Sequence, residues 1–496
     1  MFADMSRDIL RSARRSGGHR STPRGLLATI AVAVLVGACA GSAATPSVTP
    51  GATPSQLASL LASLGASPTA AQMGTPIPSP RIVTGGAFDV AMGNAALTTP
   101  DLAGVATAGA AINDFAFDLL RRQATTANSC TSPASIALAL AMVRPGARGE
   151  TAAQMDTVLH SFGAPGQAAR IAALIERLNA QTLYDPLETP GPGASPQPVV
   201  TLNVSDQVFS QKGMTLLPDY LDALSSSFGA GVGVLDFSTD PEAARQTIND
   251  WVSRNTAARI PQILQSGDIT TATRIVLANA IYLNAGWVHT FDAGKTASRA
   301  FTTAAGSAVQ VKTMAQQSWL SYAAGTGYRA VDLPLGGDGS SLSMTIIVPD
   351  DMASFVAGLS AARLASIVEA EKTYDVDLTL PRFSADFRVD LADTLKEMGM
   401  SDLFDDAKAD LSGINGNLPE PLVIAKVIHQ ANIDVYEQGT TAAAATVVIG
   451  RATTGGEPAL PPKTTFHVDH PFLYLLRETT SGAVLFMGHI GNPTAG

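Results

Sequence analysis

Between Glu437 and Thr454 lies a stretch that few folds have a use for. Ala442, Ala443, Ala444 and Ala445 by themselves favour helix. They sit between Gly439 and Gly450, among Thr440, Thr441, Thr446, Val447, Val448 and Ile449, whose branched Cβ atoms favour strand. A long strand-like run, Leu422 to Tyr436, precedes the stretch, and a loose segment from Gly455 to Lys463, with Pro458, Pro461 and Pro462, follows it. Such a segment can be an exposed loop in one state and a strand in another. As a strand it would turn Thr440, Ala442, Ala444, Thr446, Val448 and Gly450 to one face. None of these has a long or charged side chain that would lose hydration on burial. Taken alone, the stretch reads first as an ordinary Ala/Thr-rich surface loop, and it is its neighbours that favour the other reading.

The chain is 496 residues long and 46% hydrophobic, enough for a sizeable core. Its net charge of -10 supplies no basic patch of the kind nucleic acid requires, so nucleic acid is not an expected partner. Arg7, Arg11, Arg14, Arg15, Arg20 and Arg24 precede an apolar run from Leu26 to Val36. That run is shorter than the roughly 20 residues a membrane span needs, and it suits the core of a secretory signal. Val36-Gly37-Ala38-Cys39 then resembles a bacterial lipobox, which implies cleavage before Cys39 and a lipid on its thiol; a plain signal peptide is the alternative. The expected organisation is a signal peptide over 1–38, a flexible tether over 39–105 and a folded domain over 106–496. Ala40 to Pro80, rich in Ala, Ser, Thr, Pro and Gly, sets the tether's character. Cys130 is the only other cysteine, so no disulfide framework is available.

From Ala111, Ile112, Phe115, Ala116, Leu119 and Leu120 recur at helical spacing. Ser132 is a plausible N-cap with Pro133 at the first helical position, for a helix that should stop near Gly146. Gly149-Glu150-Thr151 opens another helix, and Asp185 to Pro198 is a Pro/Gly-rich loop. Val199 to Phe209 reads as a strand, and Ile248 to Val252 as part of a helix. Arg274 to Leu283 is apolar on both faces, as a central strand should be. Asn279 in its middle needs a polar partner. His429 is a candidate: it is the sole ionisable member of a strand face formed by Val423, Ala425, Val427, Ala431, Ile433 and Val435. A lone histidine on an apolar face is ordinarily a satisfied core residue; here it can also be a latch between strands that must part.

These pieces resemble the serpin family from about Ala111 to Pro493. Ser132-Pro133-Ala134-Ser135-Ile136 is similar to its helix B start. Leu277-Ala278-Asn279-Ala280-Ile281-Tyr282 with Gly286-Trp287 is similar to the strand that enters its breach. Leu333-Pro334 and Leu380-Pro381-Arg382-Phe383 have counterparts. Phe466-His467-Val468-Asp469-His470-Pro471-Phe472-Leu473-Tyr474 matches the C-terminal signature, and Phe486-Met487-Gly488 with Asn492-Pro493 closes the chain. The resemblance implies a mixed α/β (α+β) serpin fold with about nine helices, three β-sheets and an exposed reactive-centre loop over about 437–465. It implies a shutter of Ser132, Ser135, Asn279 and His429, a breach at Trp287, and a hinge of Glu437, Gly439, Thr440, Ala442, Ala443, Ala444, Ala445 and Thr446. Gln438, Thr441 and Gln430 depart from the family's usual residues, but none puts bulk or charge on the inserting face.

A serpin of this kind is an irreversible suicide-substrate inhibitor of serine or cysteine proteases. The protease acylates the loop, which then inserts into the main sheet, a transition the family exemplifies. The expected partner is thus a target protease, with no cofactor and no metal, and the expected state is a monomer. The expected location is extracellular, either lipid-anchored on the outer face of the bacterial cytoplasmic membrane or secreted. Counting seventeen residues from Glu437 puts the scissile bond at Thr453–Thr454, for an elastase- or subtilisin-like target. Aligning on Gly450-Arg451 puts it at Arg451–Ala452, for a trypsin-like one; the first is favoured because the longer loop gives more reach. An enzyme is not expected, since G-x-S-x-G and H-E-x-x-H are missing from the sequence and Gly294-Lys295-Thr296 lacks the first glycine of a phosphate loop. The remaining alternative is a non-inhibitory serpin-fold protein that serves in binding or adhesion at the cell surface.

Overall fold

In the computed structural model, which describes residues 81–84, 86–123, 127–184, 198–337, 339–417, 420–440 and 460–495, the first described strands lie inside the expected tether. Strands β1 (Arg81–Val83) and β2 (Asp89–Met92) form a hairpin, and β2 pairs with a strand of the main sheet. The helix read from Ala111 onward is α1 (Val105–Leu120). Ser132 caps α2 (Pro133–Val143) with its side chain, accepting from the Ser135 N–H, and a 3-10 turn carries the chain on to Gly146. This helix is buried along its whole length, which is why its sequence is apolar all round. There follow α3 (Gly149–Val158), α4 (Ala168–Asn179), β3 (Leu183–Tyr184), β4 (Pro198–Gln211), α5 (Pro218–Phe228), β5 (Val232–Leu235) and α6 (Pro241–Asn255). The expected central strand is β6 (Ile275–Ala285).

A second layer comes from β7 (Ala297–Thr302), β8 (Ala308–Gly325), β9 (Tyr328–Leu335) and β10 (Leu342–Pro349). Helices α7 (Met352–Ala357) and α8 (Ala361–Glu369) lead into β11 (Lys372–Pro381) and β12 (Phe383–Asp390). The chain then passes through α9 (Ala392–Met398) and α10 (Ser412–Asn415) to β13 (Ile428–Val435). It closes with β14 (Lys463–His467), β15 (Phe472–Glu478) and β16 (Val484–Ile490). Among the described residues there are thus ten α-helices and three hydrogen-bonded sheets, the mixed α/β architecture expected.

One sheet has β1, β2, β5, β4 and β3 in order, with β6 on the other edge of β4; another is built on β8 through β11 and β14 to β16; the third is the pair β12–β13. Ile281 and Leu283 of β6 pack with α2 in the main core, whereas Ala278 and Ala280 pack against Ile248 and Val252 of α6. The strand is apolar on both faces because both are covered.

Three expectations need correction. The strand-like run from Leu422 becomes strand only at Ile428, and Ala425, assigned to the buried face, is exposed. Residues 86–95, assigned to the tether, pack on the folded body instead: Phe88 meets Phe209 edge-on at 4.8 Å and the Asn94 and Ala95 N–H groups donate to Asp222. Gly233 makes room for this docking, since a Cβ there would stand 2.5 Å from the Phe209 ring. The ends of the expected exposed loop also belong to the body: Glu437 and Thr440 are buried, and Lys463 onward is β14. The signal peptide, Cys39, Ala442 to Thr446, and both scissile-bond choices, Thr453–Thr454 and Arg451–Ala452, lie outside the described residues.

Candidate functional site: the junction of β6 and β13

Strands β6 and β13 run side by side in the same direction, and each is laddered on its far edge only, to β4 and β12 respectively. Among the described residues no ladder joins the two. At the C-terminal end of both, the chain leaves β13 and doubles back. Tyr436 and Gly439 exchange two backbone hydrogen bonds of 3.1 Å, which closes a two-residue turn on Glu437 and Gln438. Gly439 then bridges to Gly286, and the Thr440 N–H donates to the Ala285 carbonyl at 2.9 Å. Gly439 has φ of 150°, and a Cβ on it would stand 2.2 Å from the Ala285 oxygen. Only glycine fits there.

Trp287 fastens this turn. Its indole Nε1–H donates to the Tyr436 carbonyl at 2.8 Å, and its backbone N–H donates to Gln438 at 3.0 Å. The Phe291 N–H donates to the Glu437 carbonyl, and the Phe291 ring meets Trp287 edge-on. The Glu437 carboxylate accepts from Arg382 Nε at 2.9 Å, from Arg382 Nη2 at 2.6 Å, and from the Thr296 hydroxyl. Burial pushes that carboxyl up, but the Arg382 and Thr296 hydrogen bonds outweigh it and hold it below its ordinary range. Gly294-Lys295-Thr296 is a tight turn closed by the Asp292 side chain, and Thr296 supplies one of these donors.

Midway along the strands, the start of α2 joins the two edges. His429 Nε2 accepts from the Ser132 N–H at 3.1 Å. On the β6 side, the Asn279 side-chain amide donates to the Ser135 carbonyl at 2.6 Å, and its oxygen accepts from the Ser135 hydroxyl. The Ser132 hydroxyl donates to Leu485 at 2.6 Å. All four expected shutter residues are therefore together, yet His429 and Asn279 meet through the serines rather than directly. The amide of Asn279 also donates to Asp206, which stands opposite it on β4. Sequence reading missed Asp206, although a carboxylate within the strand Val199 to Phe209 was a usable signal. Arg382, in the run Leu380-Pro381-Arg382-Phe383, is the partner of Glu437, a pairing between residues far apart in sequence.

His429, which is buried, and Asp206, which is half-buried, have opposite pH linkage. Burial lowers the imidazole to about 4, so it is neutral near pH 7, and with Nε2 accepting, its proton is on Nδ1. Among the described residues that buried Nδ1 has no partner. Burial raises the Asp206 carboxyl to about 7, against a smaller lowering by Asn279. For His429 the folded value lies below the unfolded one, so its contribution is present above about pH 6.5 and lost as pH falls toward 4. For Asp206 the folded value is raised, so its contribution is present at low pH and lost as pH rises through about 7. Between about pH 4 and 6.5 the two offset each other. The variant Asp206→Asn should therefore lose stability on acidification across this window, by up to ~1.4 kcal/mol per pH unit. His429→Gln should gain stability on the same acidification. Urea unfolding at several pH values measures both slopes, and parallel curves for both variants and the parent would remove the linkage.

The profile of the family described as "Serpin (serine protease inhibitor)" matches residues 110–493. Leukocyte elastase inhibitor from Bos taurus is 35% identical over 402 residues, which covers 77% of this chain and 99% of the bovine protein. The Homo sapiens protein of that name is 33% identical over 399 residues, 76% of this chain and 97% of its own. Among solved structures, the thermophilic serpin Tengpin in its native state superposes with a TM-score of 0.67 at 22% identity, over 81% of this chain and 97% of Tengpin. Native protease nexin-1 with heparin gives 0.64 at 26% identity, over 78% of this chain and all of that one. With a family match over most of its length and curated relatives covered nearly end to end, this chain belongs to the serpin family.

Proposed function

We propose that the protein is an irreversible suicide-substrate inhibitor of serine or cysteine proteases, in which Glu437 to Thr446 act as hinge and the cleaved loop enters between β6 and β13. One observation carries this reading: the turn at Tyr436–Gly439 sets a register with both strands at once. From Gly439 the chain runs antiparallel to β6 from its bridge at Gly286, and antiparallel to β13 from its bridge at Tyr436. Continued along both strands, Thr446 falls opposite Asn279 and opposite His429, each seven residues from its bridge. That is the level at which the buried His429 Nδ1 proton has no partner among the described residues. The same register turns Thr440, Ala442, Ala444, Thr446, Val448 and Gly450 toward the face of Ala285, Leu283, Ile281, Asn279, Leu277 and Ile275, where α2 lies beneath. Small residues on that face permit entry without moving the helix.

The scale is adequate. About 15 inserted residues at ~3.3 Å each would carry an attached protease roughly 50 Å. Each new backbone hydrogen bond contributes ~1 kcal/mol net, and a strand paired on both edges gains such bonds on two sides. The elastase inhibitors among the relatives support an elastase-like target and the bond Thr453–Thr454 over Arg451–Ala452. A binding or adhesion role would set no size limit on Thr440 or Ala442. The lipobox at Val36–Cys39 supports export and a lipid anchor at Cys39, with residues 39–80 as tether and the inhibitor held outside the bacterial cytoplasmic membrane.

Two experiments test this proposal. The variant Thr440→Arg, with a charge on the inserting face, should be cleaved as a substrate and form no denaturant-stable band with pancreatic elastase or trypsin. Trapping equal to the parent would contradict the mechanism, and the N-terminal residue of the released peptide, Thr454 or Ala452, identifies the bond. For the anchor, Cys39→Ala should move the protein from the membrane fraction to the medium and abolish labelling by a fatty acid. Unchanged membrane association would exclude lipid at Cys39.

A further inference from the structure

Trp319 is 55% exposed on β8, in a molecule whose other two tryptophans are largely enclosed. It stands directly opposite Asp375 of β11, which stands opposite Lys463, the first residue of β14. Residues directly opposite one another share a face, so the three side chains form a row across the outer side of the sheet. The next row on that face begins with Gln317 opposite Asp377. Gln317 donates to both oxygens of Asp375 at 3.0 Å, and Lys463 approaches Asp375 at 3.9 Å. Asp377 is exposed and has no ion pair among the described residues. The row is thus an open indole bordered by two carboxylates, one of them unneutralised.

Its position identifies the occupant. Lys463 continues directly from the segment containing the scissile bond, through Pro461, Pro462 and Leu460, which is 81% exposed. Trp319 is two strand spacings, ~10 Å, from the start of β14. Leu460 is six residues past Thr454, so a protease seated on that bond stands within ~20 Å of it. A standard interface covers ~800 Å² on each partner, a patch wide enough to reach from Leu460 to Trp319. We propose that this row is a second contact for the protease bound at the loop, with Trp319 as its anchor and a basic side chain of the protease rim stacked on the indole beside Asp377. Exposed tryptophan is the residue type most enriched among interface anchors, and a cation over its face is attracted by the ring quadrupole. This inference rests on the inhibitor reading above.

The test measures the second-order rate of inhibition of bovine trypsin and of pancreatic elastase, with stoichiometry from the denaturant-stable band and a thermal melt of each variant. Trp319→Ala should slow inhibition of at least one enzyme about tenfold with stoichiometry and melting unchanged, and Trp319→Phe should recover most of the rate. Asp377→Asn should slow the same enzyme less, and its effect should shrink as NaCl rises from 50 to 500 mM. Rates for Trp319→Ala equal to the parent with both enzymes would overturn the second contact and leave the inhibitor reading intact. Absence of any covalent complex with the parent protein would overturn both.

Discussion

The arrangement depends on one backbone contact, the Thr440 N–H donating to the Ala285 carbonyl. It is the first rung of a ladder that the described residues do not extend. With the Gly286–Gly439 bridge it aligns whatever follows Thr440 with β6, and with the Tyr436 turn it aligns the same residues with β13. Two strands whose facing edges have no ladder between them carry a latent demand for backbone partners, because an unpaired N–H or C=O removed from water costs free energy.

What holds this state is a division of labour along β13. At its end, Trp287, Arg382 and Thr296 fix the turn through the Tyr436 and Gln438 carbonyls and the Glu437 carboxylate. Removing one partner there would leave a buried polar group unsatisfied, a larger loss than the net worth of one hydrogen bond. At its middle, the edges of β6 and β13 are both held to the first turn of α2, one through Asn279 and Ser135 and the other through His429 and Ser132. Among the described residues the strands are joined through a helix start and not to each other, so the parting that the proposed mechanism requires would break no direct strand-to-strand bond.

Local chemistry made much of this legible in the sequence. Ser132 and Pro133 announce α2 because capping depends on neighbours in the chain. Arg274 to Leu283 could be recognised as a strand buried on both faces because both are covered, although among the described residues it is laddered on one edge only. The pairing of Glu437 with Arg382 and of Asn279 with Asp206 joins residues far apart in sequence, and no periodicity encodes it. The start of β13 was misplaced because alternation from Val423 to Val427 mimics a strand where the chain is irregular. Strands β1 and β2 were missed because Ala- and Gly-rich composition reads as tether, and their order comes from a docking surface on β5 and α5.

An inhibitor of the proposed kind stores free energy that insertion of the severed loop releases. The direct measurement is the thermal midpoint of the purified inhibitor before and after a single cut within residues 451–454 by a catalytic amount of protease. Pairing the inserted strand on both edges should add on the order of 10 kcal/mol, and so raise the midpoint by more than ~10 °C in a domain of this size. A cut protein that melts at or below the temperature of the intact one would show that no such energy is stored.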